Sequence, residues 1–300
     1  MLKVILNGLE FKNPILTAAG TFGKGYELAH SYDLSKLGGI IPKTLTLKKK
    51  NGNPFPRLSE VPCGLINSIG LENEGIEHFL NETYPILKKL PTKIIVSISG
   101  ESIEEFAELL STLNRETDID VFEINLSCPN VERGGEEFSL NVDILSSLLL
   151  KLRRMTDRVL WAKLPPDVYG IVRKVEVVKS VGIDAVVLCN TYKSTYIDVN
   201  KMSYSIAAGQ GGLSGPAILP ITLYIVREVK KTFPDLPIIA SGGVFSTEDV
   251  IRYILVGAHL VEIGTMNFIK PDEVFKIPTG IKRYLKEKEK SLDEIRGYLL

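Results

Sequence analysis

Cysteine is scarce in this chain, and net charge is absent. Only Cys63, Cys128 and Cys189 occur in 300 residues, widely spaced and with no CxxC pair. An odd, dispersed set excludes a disulfide framework and any locally encoded zinc or iron–sulfur site, so no metal is expected on the chain. The 36 basic and 36 acidic residues cancel. No global field therefore draws the chain to nucleic acid or to a membrane surface. The basic runs Lys48-Lys49-Lys50 and 282–290 are short, and the second alternates with acids like a solvated helix face. No apolar run approaches the roughly 20 residues that span a bilayer. The opening Met1-Leu-Lys-Val-Ile-Leu-Asn-Gly8 lacks a signal-peptide apolar region. A cytoplasmic protein is expected. A GxGxxG turn after a first strand is also missing, which weighs against a doubly wound dinucleotide-binding sheet.

The chain is 44% hydrophobic and 24% charged, an ordinary globular balance that allows one large domain. Residues 3–6 and 9–11 flank Asn7-Gly8, the preferred type I′ turn pair, and predict an N-terminal β-hairpin. Apolar strands follow at 15–19, 39–43, 94–99, 121–126, 160–164, 185–189, 238–240 and 260–263, and such runs suit strands covered on both faces. Helical periodicity fills 141–154, 172–181, 218–232 and 247–256. Ser102-Ile-Glu-Glu105 reads as a capping box for a helix to about Leu113. Eight strands with intervening helices predict an α/β chain folded as a (β/α)8 TIM barrel, one domain over 1–300. Two connections, 44–75 and 190–216, are long insertions after strands 2 and 6. Insertions of that length are usually binding loops or lids.

Polar residues gather where strands end. Lys43 ends the second strand, Asn125 the fourth, Lys163 nearly ends the fifth, and Asn190 follows the sixth. A lysine within an apolar strand end is costly to bury unpaired. It either meets an anion or an electron-rich ring, or it snorkels to solvent. Gly242-Gly243 follows the seventh strand, Gly264-Thr265 the eighth, and Gly215 precedes a helix. Glycine backbones and helix N-termini suit a phosphate, and the loops after strands seven and eight are a recurring phosphate site in barrels. Cys128 lies among Asn125, Ser127 and Asn130, with Gly134-Gly135 close behind. A thiol of ordinary pKa about 8.5 needs modest tuning to act as a base. Cys189 fits a buried apolar role, and Cys63 is read the same way. His30, His78 and His259 fall in or beside predicted helices and read as structural.

These stretches resemble the class 1 dihydroorotate dehydrogenases. The resemblance is carried by Ala18-Ala19-Gly20, Lys43-Thr44, Asn67-Ser68-Ile69-Gly70-Leu71 and Asn125-Leu-Ser-Cys-Pro-Asn-Val131. It continues through Lys163-Leu-Pro165, Asn190-Thr191, Gly211-Gly-Leu-Ser-Gly-Pro216, Gly242-Gly243 and Gly264-Thr265. It implies FMN on the barrel and oxidation of dihydroorotate to orotate in pyrimidine synthesis, with Cys128 removing the C5 proton. It implies substrate contacts from Lys43, Asn67, Ser68, Ile69, Gly70, Leu71, Asn125, Asn130, Asn190 and Thr191. Flavin contacts are implied for Ala19, Gly20, Lys43, Thr44, Ser97, Asn125, Lys163 and Cys189, with the phosphate on Gly215, Gly242, Gly243, Gly264 and Thr265. Ser97 and Ala19 depart from the Asn and Ser common in the family. The motifs look most like the class 1B, NAD-linked type. That type implies a homodimer core and a partner subunit carrying FAD and a 2Fe–2S cluster, together a heterotetramer. Two other readings stay open: a related flavin barrel acting on dihydropyrimidines, and a non-flavin lyase using Lys43 or Lys163 as a Schiff base. A noncatalytic binding barrel is a further alternative.

Overall fold

The computed structural model describes residues 2–126 and 136–300. Eight parallel strands close into a barrel: β1 (Ile15–Thr17), β2 (Gly39–Ile40), β3 (Lys93–Ile98), β4 (Val121–Asn125), β5 (Val159–Leu164), β6 (Ala185–Leu188), β7 (Ile238–Ser241) and β8 (Leu260–Ile263). Each strand pairs with its sequence neighbours, and β8 pairs with β1. All eight expected strands are present. β1, β2 and β6 end one to three residues early, so Ala19, Lys43 and Cys189 sit on the rim rather than in the ladder.

The strands are less uniformly apolar than the sequence reading held. Glu123 in β4 and Glu262 in β8 are fully buried. The helices pack outside as amphipathic stripes. In Ile103–Glu116, Phe106, Leu109, Leu110 and Leu113 are buried, each worth about 1.5–3 kcal/mol relative to exposure. Ser102 caps this helix by accepting from the Glu105 amide at 3.1 Å. The expected reciprocal half differs, because the Glu105 carboxylate accepts from the Glu101 amide instead. The C-terminal helix Ile277–Lys288 exposes its charges and buries Ile277, Ile281 and Leu285. Among the described residues, no helix is long and apolar enough to cross a membrane.

The N-terminal hairpin, Val4–Leu6 with Leu9–Phe11, turns at Asn7 and Gly8 with φ of +50° and +76°. Asn7 Nδ2 donates to the Asp184 carbonyl at 3.0 Å, just ahead of β6. Phe11 is fully buried, with its ring 6.0 Å from that of Trp161 in β5. The hairpin thus closes the end of the barrel where strands begin.

The two long connections are not plain loops. They pair with each other in one antiparallel sheet at the opposite end. Its order is Tyr192–Ser194, Gly211–Ser214, Gly64–Asn67, Leu58–Val61. Periodicity could not announce this pairing, because its partners lie about 145 residues apart. A helical segment, Gly75–His78 continuing through Phe79–Thr83 to Tyr84–Leu87, was also not expected.

Gly64 sits where the two excursions meet. A Cβ added there would fall 2.0 Å from the Ser214 carbonyl oxygen. Gly64→Ala should therefore part these strands and destabilise the chain by about 1–3 kcal/mol. Urea unfolding measures the loss, and limited proteolysis should show new cuts within 44–75 and 190–216. Unchanged stability and cleavage would show that this contact does not hold the sheet.

Candidate active site

The rim of strand C-termini and the antiparallel sheet enclose a cavity of about 600 Å3. Such a rim is where barrel loops converge. Lys43, half-buried just past β2, lines it beside Ala19 and Gly20. Gly20 has φ +80°, and a Cβ there would lie 3.6 Å from Lys43 Nζ, so this turn brings the ammonium close to the backbone.

Asn125, at the end of β4, lines the cavity and donates from Nδ2 to Thr44 Oγ1 at 3.4 Å. Thr44 Oγ1 in turn lies 3.0 Å from Ser97 Oγ. Ser97 is fully buried and does not line the cavity; it stands one hydrogen bond behind Thr44.

The antiparallel sheet supplies the other wall. Asn67, Ile69, Gly70 and Leu71 line the cavity, and Asn67 Nδ2 donates to the Gly212 carbonyl at 3.2 Å. Gly70 and Leu71 turn through φ of +73° and +56°. Ser68, between Asn67 and Ile69, is buried, accepts from Asn53 Nδ2 at 2.6 Å and does not reach the cavity. Asn190 and Thr191 line the cavity beyond β6, with the Thr191 amide donating to Asn190 Oδ1 at 2.7 Å.

Glycines shape the β7–β8 side. Gly215, Gly242, Gly243, Gly264 and Thr265 all line the cavity. Gly243 has φ +72°, and a Cβ there would meet the Leu219 amide nitrogen at 2.6 Å. The β7 loop can therefore lie directly on the start of helix Leu219–Thr232, whose N-terminal end carries positive potential. Thr265 Oγ1 donates to Ser214 Oγ at 2.8 Å, tying the β8 loop to the glycine-rich strand.

At the floor stands Lys163. It does not snorkel. It is 4% exposed, and its Nζ donates to Glu262 Oε2 at 2.6 Å and lies 3.5 Å from Glu123 Oε2. Burial opposes its charge, yet Glu123 and Glu262 outweigh that and hold its pKa up at about 12. Sequence reasoning missed both acids. Their signal was a lone Glu inside each of two apolar strands, Val-Phe-Glu-Ile-Asn and Leu-Val-Glu-Ile.

Cys189 lines the cavity as a buried thiol that burial pushes strongly up, so it is neutral at physiological pH. Cys63 is exposed, contrary to its expected buried role. His259 accepts from the Ile238 amide at 3.3 Å, and burial holds it down at about 3, a structural neutral ring. His78, by contrast, lines the cavity, its Nε2 3.5 Å from Lys24 Nζ. The expected base Cys128, with Asn130 and Gly134-Gly135, lies outside the described residues.

Known proteins place this arrangement. Residues 1–285 match the family described as dihydroorotate dehydrogenase. The chain is 43% identical over 298 residues to the dihydroorotate dehydrogenase B (NAD(+)) catalytic subunit of Petrotoga mobilis, covering 99% of both chains. It is 42% identical to the protein of the same description from Caldicellulosiruptor bescii, over 99% of this chain and 98% of that one. It is 41% identical to a putative dihydroorotate dehydrogenase A (fumarate) of Aquifex aeolicus, over 99% of this chain and 97% of that one. With a closed parallel barrel, polar strand ends meeting in one cavity, and near-complete coverage at such identities, the chain belongs to the dihydroorotate dehydrogenase family.

Proposed function

We propose that the chain is an FMN-dependent dihydroorotate dehydrogenase that oxidises (S)-dihydroorotate to orotate in pyrimidine biosynthesis. The observation that carries this reading is convergence. Lys43, Asn67, Asn125, Lys163 and Asn190 come from five separate segments and line one cavity, beside a glycine-built wall at a helix N-terminus. Amide side chains offer both donors and acceptors, which suits a pyrimidine ring. Lys43 suits the substrate carboxylate.

The residues present fit FMN. The cavity of about 600 Å3 lies in the usual range for cofactor sites. Gly215, Gly242 and Gly243 hold positive φ, and an added Cβ would strike the packed backbone or Thr222. That wall, with Gly264 and Thr265, would hold the phosphate. Ala19, Gly20, Thr44 and Cys189 would hold the ring, with Ser97 supporting Thr44. When bound, FMN supplies the hydride acceptor for substrate C6. Lys163 offers a cation where reduction would add negative charge. Cys128, outside the described residues, is the base for the C5 proton. A lyase acting through Lys163 is disfavoured, because Glu123 and Glu262 hold its amine protonated and a Schiff base starts from the neutral amine.

The electron acceptor is proposed to be NAD, reached through a partner subunit. The Petrotoga and Caldicellulosiruptor relatives are described as NAD-linked catalytic subunits, whereas the Aquifex relative is described with fumarate. A homodimer core joined to an iron–sulfur flavoprotein carrying FAD fits the first pair.

The purified chain is expected to be yellow, and anaerobic dihydroorotate should bleach it. A colourless chain that cannot be reconstituted with FMN defeats the reading. Cys128→Ala should keep the flavin and slow bleaching about 10²–10⁴-fold in stopped-flow traces at neutral pH. Bleaching at the parent rate would remove Cys128 from the base role. Gly243→Ala is strained both by φ and by the Leu219 contact, and FMN affinity should fall at least about tenfold. Fluorescence titration of the flavin-free chain reads that loss, and undiminished affinity would place the phosphate elsewhere. Copurification with a red-brown iron–sulfur protein, with NAD reduction by the complex alone, would fix the acceptor; turnover with fumarate alone would exclude NAD.

A further inference from the structure

Glu123 and Glu262 are fully buried acids that approach Lys163 from β4 and β8. Lys163 Nζ lies 2.6 Å from Glu262 Oε2 and 3.5 Å from Glu123 Oε2. One ammonium cannot neutralise two ionised carboxylates, and a net charge on buried side chains is strongly unfavourable. Both oxygens of Glu123 and Oε1 of Glu262 are shielded from solvent and accept no hydrogen bond among the described residues. A proton on one acid resolves both difficulties. It removes the excess charge, and it turns an orphaned oxygen into a donor beside an orphaned acceptor.

We propose that Glu123 and Glu262 hold one buried proton between them beside the Lys163 ammonium, and that this electrically neutral triad sets the charge which the cavity floor presents to the flavin. The flavin half rests on the function proposed above; the buried proton does not. Glu262 and Glu123 are then positioning residues, acting through Lys163. Burial and the Glu123 carboxylate push Glu262 well above the usual carboxylate range, against the pull of Lys163. The strands beside Glu262 bring no rival charge: its ladder partners are Leu16 in β1 and Ser241 in β7. Cys189, past β6, is a neutral thiol near Lys163. Without the acids, Lys163 would present a full cation to the ring. With them, its charge is balanced and its ammonium is held in one place.

A Glu whose folded pKa is raised binds a proton that the unfolded chain releases. Between the unfolded value, about 4.3, and the raised folded value, stability therefore falls as pH rises. From pH 5 to 7, the unfolding constant of the full chain should rise by up to about tenfold per pH unit relative to Glu262→Gln. Gln keeps the shape and the donor but holds no titrating proton. Glu123→Gln leaves a simple Lys163–Glu262 ion pair and should remove the same dependence. Urea titrations at each pH read this, and a wild type with the same slope as both variants overturns the proposal. Infrared spectra of the wild type should show a protonated carboxylic C=O stretch at pH 7; its absence overturns the proposal without any variant. With FMN loaded, sulfite addition to the ring reads positive charge nearby. The Glu123→Gln/Glu262→Gln double variant should bind sulfite about tenfold or more tightly than Glu262→Gln. Equal affinity overturns the charge-setting half. A chain that takes up no FMN overturns the functional reading and leaves the proton measurement standing.

Discussion

Closure of an all-parallel sheet imposes polarity on the whole molecule. Because each strand runs the same way and β8 pairs with β1, every strand delivers its last residues to one rim. Lys43, Asn125, Cys189, Gly242 and Gly264 are far apart in sequence, yet they share a cavity for this reason alone. The opposite end is free to be packed shut, and Phe11 against Trp161 does so. The same strands thus carry a dry end and a polar end, a few residues apart. In β5, Trp161 and Lys163 lie on one face, two positions apart, and mark the crossing from one to the other.

Much of this was legible. Burial on both faces demands near-continuous apolar runs, and those runs located all eight strands. The rim residues were legible too, because Lys43, Asn125 and Asn190 break the pattern where a strand should end. Asn7-Gly8 announced its hairpin through backbone conformation, since two successive residues must take positive φ. What stayed hidden was non-local. Glu123 and Glu262 each look like an isolated blemish in an apolar strand. Their meaning appears only when barrel closure brings both to Lys163. Similarly, nothing within 58–67 states that it will pair with 211–214. The exposed Cys63 and the cavity-facing His78 depended on that same tertiary placement.

The interior shows why a polar group can be buried at the centre of a barrel without breaking it. A lysine there without an anion would carry an uncompensated buried charge. Two acids on separate strands hold it instead, so β4, β5 and β8 are tied by charge as well as by packing. The Asn125–Thr44–Ser97 chain does comparable work on neighbouring strands, through neutral hydrogen bonds. The cavity floor is thereby fixed from beneath, and its wall is fixed laterally by the antiparallel sheet.

The hairpin has an effect beyond packing. By covering the end where strands begin, it leaves that end without the polar rim that a ligand would need. Among the described residues the cavity is therefore built from the strand C-termini and the antiparallel sheet, and changes in the hairpin reach it only through the packed interior between.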